Sequence, residues 1–166
     1  MTRSASDLTI VRTDLADPAH CDALFALLDE YASGPTGSGQ RLDPRVRERL
    51  PALLATRSHF VGWLAFADGV PAGVINCFEG VSTFKARPLL NIHDIAVSPR
   101  FQRRGIGRAL LQAADAEARA RGCCKLTLEV LTGNAGAIAA YVQAGFEPYV
   151  LDPIMGQAVF LERPLP

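Results

Sequence analysis

Residues 92–111, IHDIAVSPRFQRRGIGRALL, decide the fold of this chain. The stretch predicts a buried strand from Ile92 to Val97, a turn broken by Pro99, a basic loop with two glycines, and then an amphipathic helix. Glycines let a loop reach positive φ and leave no Cβ in the way of an anion, and the first N–H groups of a helix lack intrahelical partners. This order of elements predicts a phosphate site. Three arginines add positive charge beside it: Arg103, Arg104 and Arg108.

The spacing of the glycines narrows the kind of phosphate ligand. Residues 102–107 have the pattern Q-x-x-G-x-G, which is neither the G-x-G-x-x-G of a dinucleotide fold nor the Gly-Lys-Ser/Thr of a triphosphate-binding loop. On these residues alone, an ordinary tight turn between a strand and a helix is as compatible with the sequence as a phosphate site. A second motif has to decide between the two.

That second motif lies further along the chain. Asn134 opens a short predicted helix, Tyr141 follows seven positions later, and Gly145-Phe146 close the helix. The order V-x-P, Q-x-x-G-x-G and N-x(6)-Y-x(3)-G-F resembles the GNAT-type N-acetyltransferases, which bind acetyl-CoA, and the resemblance covers residues 61–146. More narrowly, the sequence STFK at 82–85, followed by HDIAV at 93–97, is similar to the spermidine/spermine and thialysine (diamine) acetyltransferase branch.

The resemblance implies the α/β (α+β) fold of that family. This fold has a central mixed, mostly antiparallel sheet of about seven strands, splayed in the middle and flanked by about four helices. The length of the chain predicts a single domain over residues 1–166, an acetyl-CoA-dependent N-acetyltransferase domain.

Local patterns predict the elements of this fold. Asp-Pro pairs at 17–18 and 43–44 predict two helix starts, with Pro51 kinking or dividing the second helix. The glycine-rich residues 33–39 predict a flexible loop, which by resemblance lies over the acceptor site or else is a plain surface connection. Residues 80–88 depart from a strand pattern. Strands are predicted at 8–12, 59–66, 70–78, 89–97, 125–131, 146–151 and 158–165, with a hairpin turn at Asp68-Gly69.

Composition excludes several classes of function. Lysine plus arginine equals aspartate plus glutamate at 17 each, so no basic surface predicts a nucleic-acid partner. The apolar runs are too short for a membrane span, and the N-terminus lacks the apolar core of a secretory signal. The four cysteines show neither metal nor redox spacing. We therefore expect a cytoplasmic protein with free thiols, no metal site and no membrane partner.

The resemblance implies how acetyl-CoA is held. The glycine loop contacts its pyrophosphate, and the free edge of the splayed strand pairs with its pantetheine arm. A backbone N–H, that of Ile95 above all, polarises the thioester carbonyl. Asn134 contacts the arm or orders a water. The predicted binding residues are Ile95, Ala96, Val97, Arg103, Arg104, Gly105, Ile106, Gly107, Arg108 and Asn134.

Three residues are the catalytic candidates. Tyr141 matches the family's general acid, and a phenol with an ordinary pKa of about 10 can protonate a thiolate whose pKa is about 8.5; packing of its ring in the core is the alternative. His93 takes the place of a glutamate in polyamine-type relatives, and it is either a base or substrate contact or a merely packed histidine. Asp94 alternates to the opposite side of the strand, where a structural role is open. Glu79 and Glu129 are further carboxylates that could reach the acceptor site.

The acceptor implied by the resemblance is a primary amine of a small molecule or an amino acid. Histidine in place of glutamate offers no permanent negative charge, which counts against a polycationic acceptor. A protein N-terminus or lysine and a catalytically silent acyl-CoA-binding domain stay open as alternatives. A nucleotide-binding oxidoreductase fails on the glycine spacing. The resemblance is also compatible with a homodimer, although no feature of the sequence demonstrates one.

Overall fold

The sheet of this protein is built around a long β3–β4 hairpin. The computed structural model describes residues 7–150, 152, 154, 156 and 158–165. The chain forms two units, one ending at Leu128 and holding every strand of the described residues, the other beginning at Glu129 and holding α4. The elements are β1 Leu8–Arg12, α1 Pro18–Ser33, α2 Pro44–Ala55, β2 Phe60–Ala67, β3 Val70–Ser82, β4 Arg87–Val97, α3 Ile106–Ala120, β5 Leu126–Leu128 and α4 Ala135–Gln143.

The five strands lie in the order β1-β2-β3-β4-β5. Neighbours from β1 to β4 are antiparallel, and β5 is parallel to β4. The predicted fold class, a mixed and mostly antiparallel sheet with flanking helices, is confirmed. The prediction of one domain over residues 1–166 stays a prediction. None of the helices in the described residues is long and apolar enough to cross a membrane.

Alternation along β3 assigns the helices of the first unit to the two faces of the sheet. Val74 belongs to a buried cluster with Leu24, Leu27 and Leu28 of α1. A Cβ on the neighbouring Gly73 would meet Ile106 and Leu110 of α3 at 3.0–3.1 Å. Because successive strand residues point to opposite faces, α1 lies on one face of the sheet and α3 on the other.

Several predicted boundaries are wrong. The hairpin continues through residues predicted to leave the strand pattern, since Ser82 pairs with Arg87 and Gly80 with Leu89. Pro51 lies inside α2 and does not divide it, so the predicted division is wrong, whereas the alternative of a kink stays a prediction. The two final predicted strands are absent from the described residues, because residues 146–150 and 158–165 carry no strand, and Leu151 lies outside the described residues. Each of these segments contains a proline, which removes a ladder donor.

The loop after α1 is folded against its own helix, although its composition predicts flexibility. The N–H of Gly39 donates to Ala32 O at 2.9 Å, and Asp29 accepts from the N–H of Leu42 at 2.9 Å. A Cβ at Gly37 would lie 2.4 Å from Tyr31 O. The glycine at this position is therefore required for close approach of two backbones and not for mobility.

A charged network fastens the end of α3 to the sheet. Glu117 accepts from Arg12 of β1 at 3.0 Å and from Arg121 at 2.7 Å, and Arg121 also donates to Glu79 of β3 at 2.9 Å. Burial raises the pKa of Glu117, but the hydrogen bonds from Arg121 and Arg12 outweigh burial, so that the pKa lies below its ordinary value. A lowered folded-state pKa means that the ionised carboxylate stabilises the fold.

We predict that Glu117→Gln lowers the free energy of unfolding at pH 7 by about 1–2 kcal/mol, since a hydrogen-bonded charge is lost. The deficit is full above the ordinary glutamate pKa of 4.5 and shrinks as the pH falls below it. Urea titrations of both proteins between pH 3.5 and pH 7 measure the difference. Asp115→Asn is the matched control, because the Asp115–Arg119 pair on the same helix is exposed and contributes little. A deficit independent of pH would contradict the assignment.

Candidate active site

The pairing between β4 and β5 ends halfway along β4. The two strands pair at Leu90–Leu126, Asn91–Thr127 and Ile92–Leu128, whereas β4 continues to Val97 beside β3. Within the described residues, the β5-side edge of residues 93–97 has no strand partner. The predicted splay in the middle of the sheet is confirmed. It leaves main-chain donors and acceptors of β4 unused by the sheet.

Alternation of the antiparallel ladder shows which main-chain groups face this free edge. Ser98 N–H donates to Ala72 O at 2.9 Å, so Ser98 and Ala72 oppose each other as a hydrogen-bonded pair. Hydrogen-bonded and non-hydrogen-bonded pairs alternate along the ladder, so Ala96 is hydrogen-bonded to β3. Its neighbours Ile95 and Val97 are in non-hydrogen-bonded pairs, and their N–H and C=O groups therefore point to the free edge. The Ala96 side chain packs against the α1 cluster.

A β-bulge at His93 interrupts β4 beside this edge. Cys77 pairs with Ile92 and Asn76 pairs with Asp94, so His93 is one extra residue in β4. The His93 ring makes an edge-to-face contact with Phe78 at 5.6 Å between centroids. Asp94 Oδ2 accepts from Asn76 Nδ2 at 3.0 Å.

The bulge corrects the prediction for Asp94. Asn76 and Phe78 are two residues apart on β3 and therefore lie on one face of the sheet. Asp94 pairs with Asn76 and the His93 ring contacts Phe78, so both side chains lie on that face, which is the face that carries α1. Regular alternation predicted that Asp94 and His93 point to opposite faces of the sheet. This prediction is wrong, because the bulge inserts one residue and interrupts the alternation of side chains along β4.

The surroundings of His93 are partly aromatic. Phe78 also contacts His59 at 5.7 Å and Phe60 at 5.5 Å between ring centroids. The His93 side chain is exposed, and Asp94 is half-buried. Together these residues form a cluster of one carboxylate, two imidazoles and two phenyl rings, which we name the acceptor-side cluster after the role predicted for His93 and Asp94.

Of the other two carboxylate candidates, Glu79 is not part of this cluster. Glu79 is bonded to Arg121 of α3 at 2.9 Å, and it alternates with Phe78 to the α3 face. Glu79 therefore lies on the other face of the sheet from His93 and Asp94, and the prediction that it could reach the acceptor site stays a prediction. Glu129 is exposed and belongs to the second unit.

The glycine loop has the backbone that its sequence predicts. Arg103 and Gly105 adopt positive φ of 61° and 82°. Gly105 is the N-cap of α3 and has no side chain that could accept from the first N–H groups of the helix. Gln102 Nε2 donates to Val97 O at 3.4 Å, which ties the loop to the end of β4. The side chains of Arg103, Arg104 and Arg108 are exposed. An uncapped helix N-terminus with three arginines suits a multiply charged anion.

The second unit contains the remaining two candidates. Asn134 caps α4, its Oδ1 accepting from the N–H of Ala137 at 3.2 Å. Tyr141 is half-buried and lies 5.9 Å from the Phe146 ring between centroids. Gly145 follows the helix with φ of 92°. The predicted capped helix is confirmed, and the catalytic role of Tyr141 stays a prediction.

Sequence reasoning missed Asn76. Its side chain is only 3% exposed, and Oδ1 has no hydrogen-bond partner among the described residues. The sequence does contain a signal for it: Asn76 is an amide within the otherwise apolar stretch VPAGVINCF at 70–78. In a buried strand such an amide has no water to bond and needs a partner in the protein.

Comparison with known proteins gives consistent matches. The sequence model of the Acetyltransferase (GNAT) family matches residues 22–146. Thialysine N-epsilon-acetyltransferase of Caenorhabditis elegans is 34% identical over 124 residues, which cover 75% of each chain. Streptothricin acetyltransferase of Streptomyces lavendulae is 39% identical over 108 residues, 60% of this chain. The [ribosomal protein bS18]-alanine N-acetyltransferase of Salmonella typhimurium is 51% identical over 55 residues, 33% of this chain.

The extent of these matches differs. The chain spans 55% of the streptothricin enzyme and 37% of the ribosomal-protein enzyme. Among solved structures, an aminoglycoside N-acetyltransferase in complex with CoA superposes with a TM-score of 0.76 at 17% identity, over 98% of this chain and 99% of that one. At this identity the superposition shows a shared fold.

We predict that Gly105→Ala lowers the free energy of unfolding by about 1 kcal/mol, because a Cβ is strained at positive φ. Gly107→Ala, two residues later in the first turn of α3, is the matched control. Its Cβ would meet only Val97 at 3.7 Å, and alanine favours the helix. Thermal and urea unfolding of the two variants measure the difference. Equal stability of both variants would contradict the left-handed geometry at Gly105.

Proposed function

The chain belongs to the acetyltransferase (GNAT) family, and we propose that it transfers an acetyl group from acetyl-CoA to the primary amine of a small molecule or an amino acid. One observation carries the proposal. The free edge of β4 at Ile95 and Val97 leads through residues 98–105 to an uncapped helix N-terminus, so that one stretch of chain offers main-chain partners for an extended amide arm and then an anion site.

The residues on this segment fit acetyl-CoA in their chemistry. The N–H groups of Ile106, Gly107 and Arg108 start α3 and have no side-chain cap, while Arg103 and Arg104 add charge for a pyrophosphate. The N–H and C=O of Val97 are suited to an amide of the pantetheine arm. The N–H of Ile95 is suited to a thioester oxygen that gains charge during transfer. Asn134 is proposed as a further contact to the arm.

Acetyl-CoA supplies an activated thioester, and the protein must manage two protons. The bond between the acetyl carbon and sulfur breaks, and a bond between that carbon and the amine nitrogen forms. The nitrogen loses a proton, and the sulfur takes one up. We assign the donor to the Tyr141 hydroxyl and the acceptor to the cluster of His93 and Asp94.

The class of small amines is supported by two named relatives. The two acetyltransferases act, by their names, on thialysine and on streptothricin. The acceptor-side cluster contains a single carboxylate, Asp94, beside exposed His93. A site with one fixed negative charge suits an amine with one positive charge better than a polyamine.

A protein N-terminus is the second candidate acceptor. The relative that acts on alanine of ribosomal protein bS18 is 51% identical, although over 55 residues only. A peptide acceptor also presents a single primary amine. A panel of amines that includes short peptides with N-terminal alanine separates the two classes.

We predict thiol release from acetyl-CoA that depends on one class of amine. Tyr141→Phe should lower kcat about 10²-fold or more without changing the Kd for CoA, because a proton donor is lost and the ring is kept. His93→Ala should raise KM for the amine. A thiol-trapping assay on free amines, amino acids and peptides, with calorimetric titration of CoA, measures all three quantities.

Ala135→Gly is the control for Tyr141→Phe, because it perturbs the start of the same helix and leaves the phenol intact. Unchanged turnover in Tyr141→Phe would remove Tyr141 from the mechanism. CoA binding with no thiol release from any amine or peptide would contradict acetyl transfer and favour a silent acyl-CoA-binding domain.

A further inference from the structure

The most unusual buried polar group of the first unit is the side-chain amide of Asn76. Its Nδ2 donates to Asp94 Oδ2 at 3.0 Å, while its Oδ1 is buried without a partner among the described residues. A buried polar atom that lacks a hydrogen bond destabilises a fold, and an apolar residue of similar size would remove that cost. An amide retained at this position therefore calls for a role other than stability.

The structure around Asn76 makes room for this amide. Gly62 lies opposite Asn76 on β2, and a Cβ there would lie 3.1 Å from Asn76 Oδ1 and 3.0 Å from the Phe60 ring. Either distance is tighter than a normal carbon contact, so a Cβ at Gly62 would require the Asn76 amide and the Phe60 ring to move by a few tenths of an ångström. The absence of a side chain on β2 thus preserves the donor that reaches Asp94 on β4.

The bulge at His93 determines which side chains lie beside the Asn76–Asp94 hydrogen bond. Without a bulge, His93 and Asp94 would point to opposite faces of the sheet. With it, both lie on the face that carries α1, next to Phe78. A strand that departs from regular pairing needs an additional contact to hold its side chains in one orientation. Asn76 supplies that contact, since it is the residue of β3 that lies directly opposite Asp94.

We propose that Asn76 is a positioning residue of the acceptor site: it orients the Asp94 carboxylate beside His93 so that the carboxylate receives the ammonium group of the acceptor. This inference rests on the proposed acetyl transfer. Asp94 would touch the substrate, and Asn76 would act only through Asp94. The carboxylate of the acceptor site then comes from Asp94, while His93 at the neighbouring position supplies a second polar contact.

A purely structural role for the Asn76–Asp94 bond makes different predictions. If the bond only joins β3 to β4, its loss should lower the melting temperature and weaken acetyl-CoA and amine binding together. If Asn76 positions Asp94, its loss should affect the amine alone. The two residues should then fail to act independently, since one works through the other.

The test uses Asn76→Leu, Asp94→Asn and the double variant. Asn76→Leu keeps the branched shape of the side chain and removes the donor, whereas Asp94→Asn keeps an acceptor for Asn76 and removes the charge. We expect kcat/KM for the amine to fall about tenfold in Asn76→Leu and about 100-fold in Asp94→Asn, with KM for acetyl-CoA within about twofold of wild type. The double variant should be no worse than Asp94→Asn alone.

Ile75→Val is the matched control, because Ile75 is fully buried next to Asn76 and alternates to the α3 face. It should lower the melting temperature without changing kcat/KM for the amine. Losses that add in the double variant would overturn the proposal. So would a fall in melting temperature and in acetyl-CoA affinity that accompanies the loss in Asn76→Leu.

A measurement without turnover separates this inference from the proposed function. The carboxyl carbon of Asp94 in labelled protein reports its hydrogen bonding by NMR, and the His93 ring carbons serve as a neighbouring reference. We expect Asn76→Leu to shift the Asp94 carboxyl resonance, and an unshifted resonance would overturn the positioning role even if the protein acetylates amines. If the resonance shifts but the protein transfers no acetyl group, the proposed function and the role of Asp94 toward an ammonium group are refuted. The orientation of Asp94 by Asn76 would still be established.

Discussion

The early end of the β4–β5 ladder is the constraint on which the rest of the site depends. Pairing stops at Ile92 and Leu128, and β4 continues to Val97 supported only by β3 among the described residues. An unpaired main-chain edge inside a protein is normally a liability, because each N–H and C=O must find a partner. Here the groups that the sheet leaves unpaired belong to Ile95 and Val97, with Gln102 Nε2 donating to Val97 O, and the chain continues from them to the N-terminus of α3. An extended ligand with amide groups and a negatively charged end satisfies both features.

The proposed contacts of β4 with the acceptor amine come from its side chains on one face of the sheet, not from the main-chain groups at its edge. The bulge at His93 brings two consecutive side chains to the face of α1, and Asn76 fixes the second of them. Edge and face of one strand thus present different chemistry: main-chain groups for a thioester arm and side chains for an amine. Glu79 is excluded from this division of roles because it joins the network of Arg12, Glu117 and Arg121 that holds α3 to the sheet.

Much of this arrangement could be predicted from the sequence, because local chemistry determines it. Asp17 and Asp43 cap helices before prolines, Asp68-Gly69 turns a hairpin with both φ values positive, and Gly105 adopts the left-handed conformation that its loop requires. The remaining features depend on distant partners. Residues 80–82 stay in a strand because residues 87–89 pair with them, and the bulge exists only relative to the register of β3. Periodicity assumes a constant repeat, so it could not place Asp94 on the correct face.

The most direct test of the central claim is amide hydrogen exchange of the protein with and without CoA. Main-chain capture of the ligand by β4 and α3 predicts slower exchange at Ile95, Val97 and residues 106–108, with unchanged exchange at residues 60–67 of β2. That pattern would show that the unpaired edge and the helix start form one ligand site. Binding of CoA that leaves the amides of Ile95, Val97 and residues 106–108 unprotected would contradict the account.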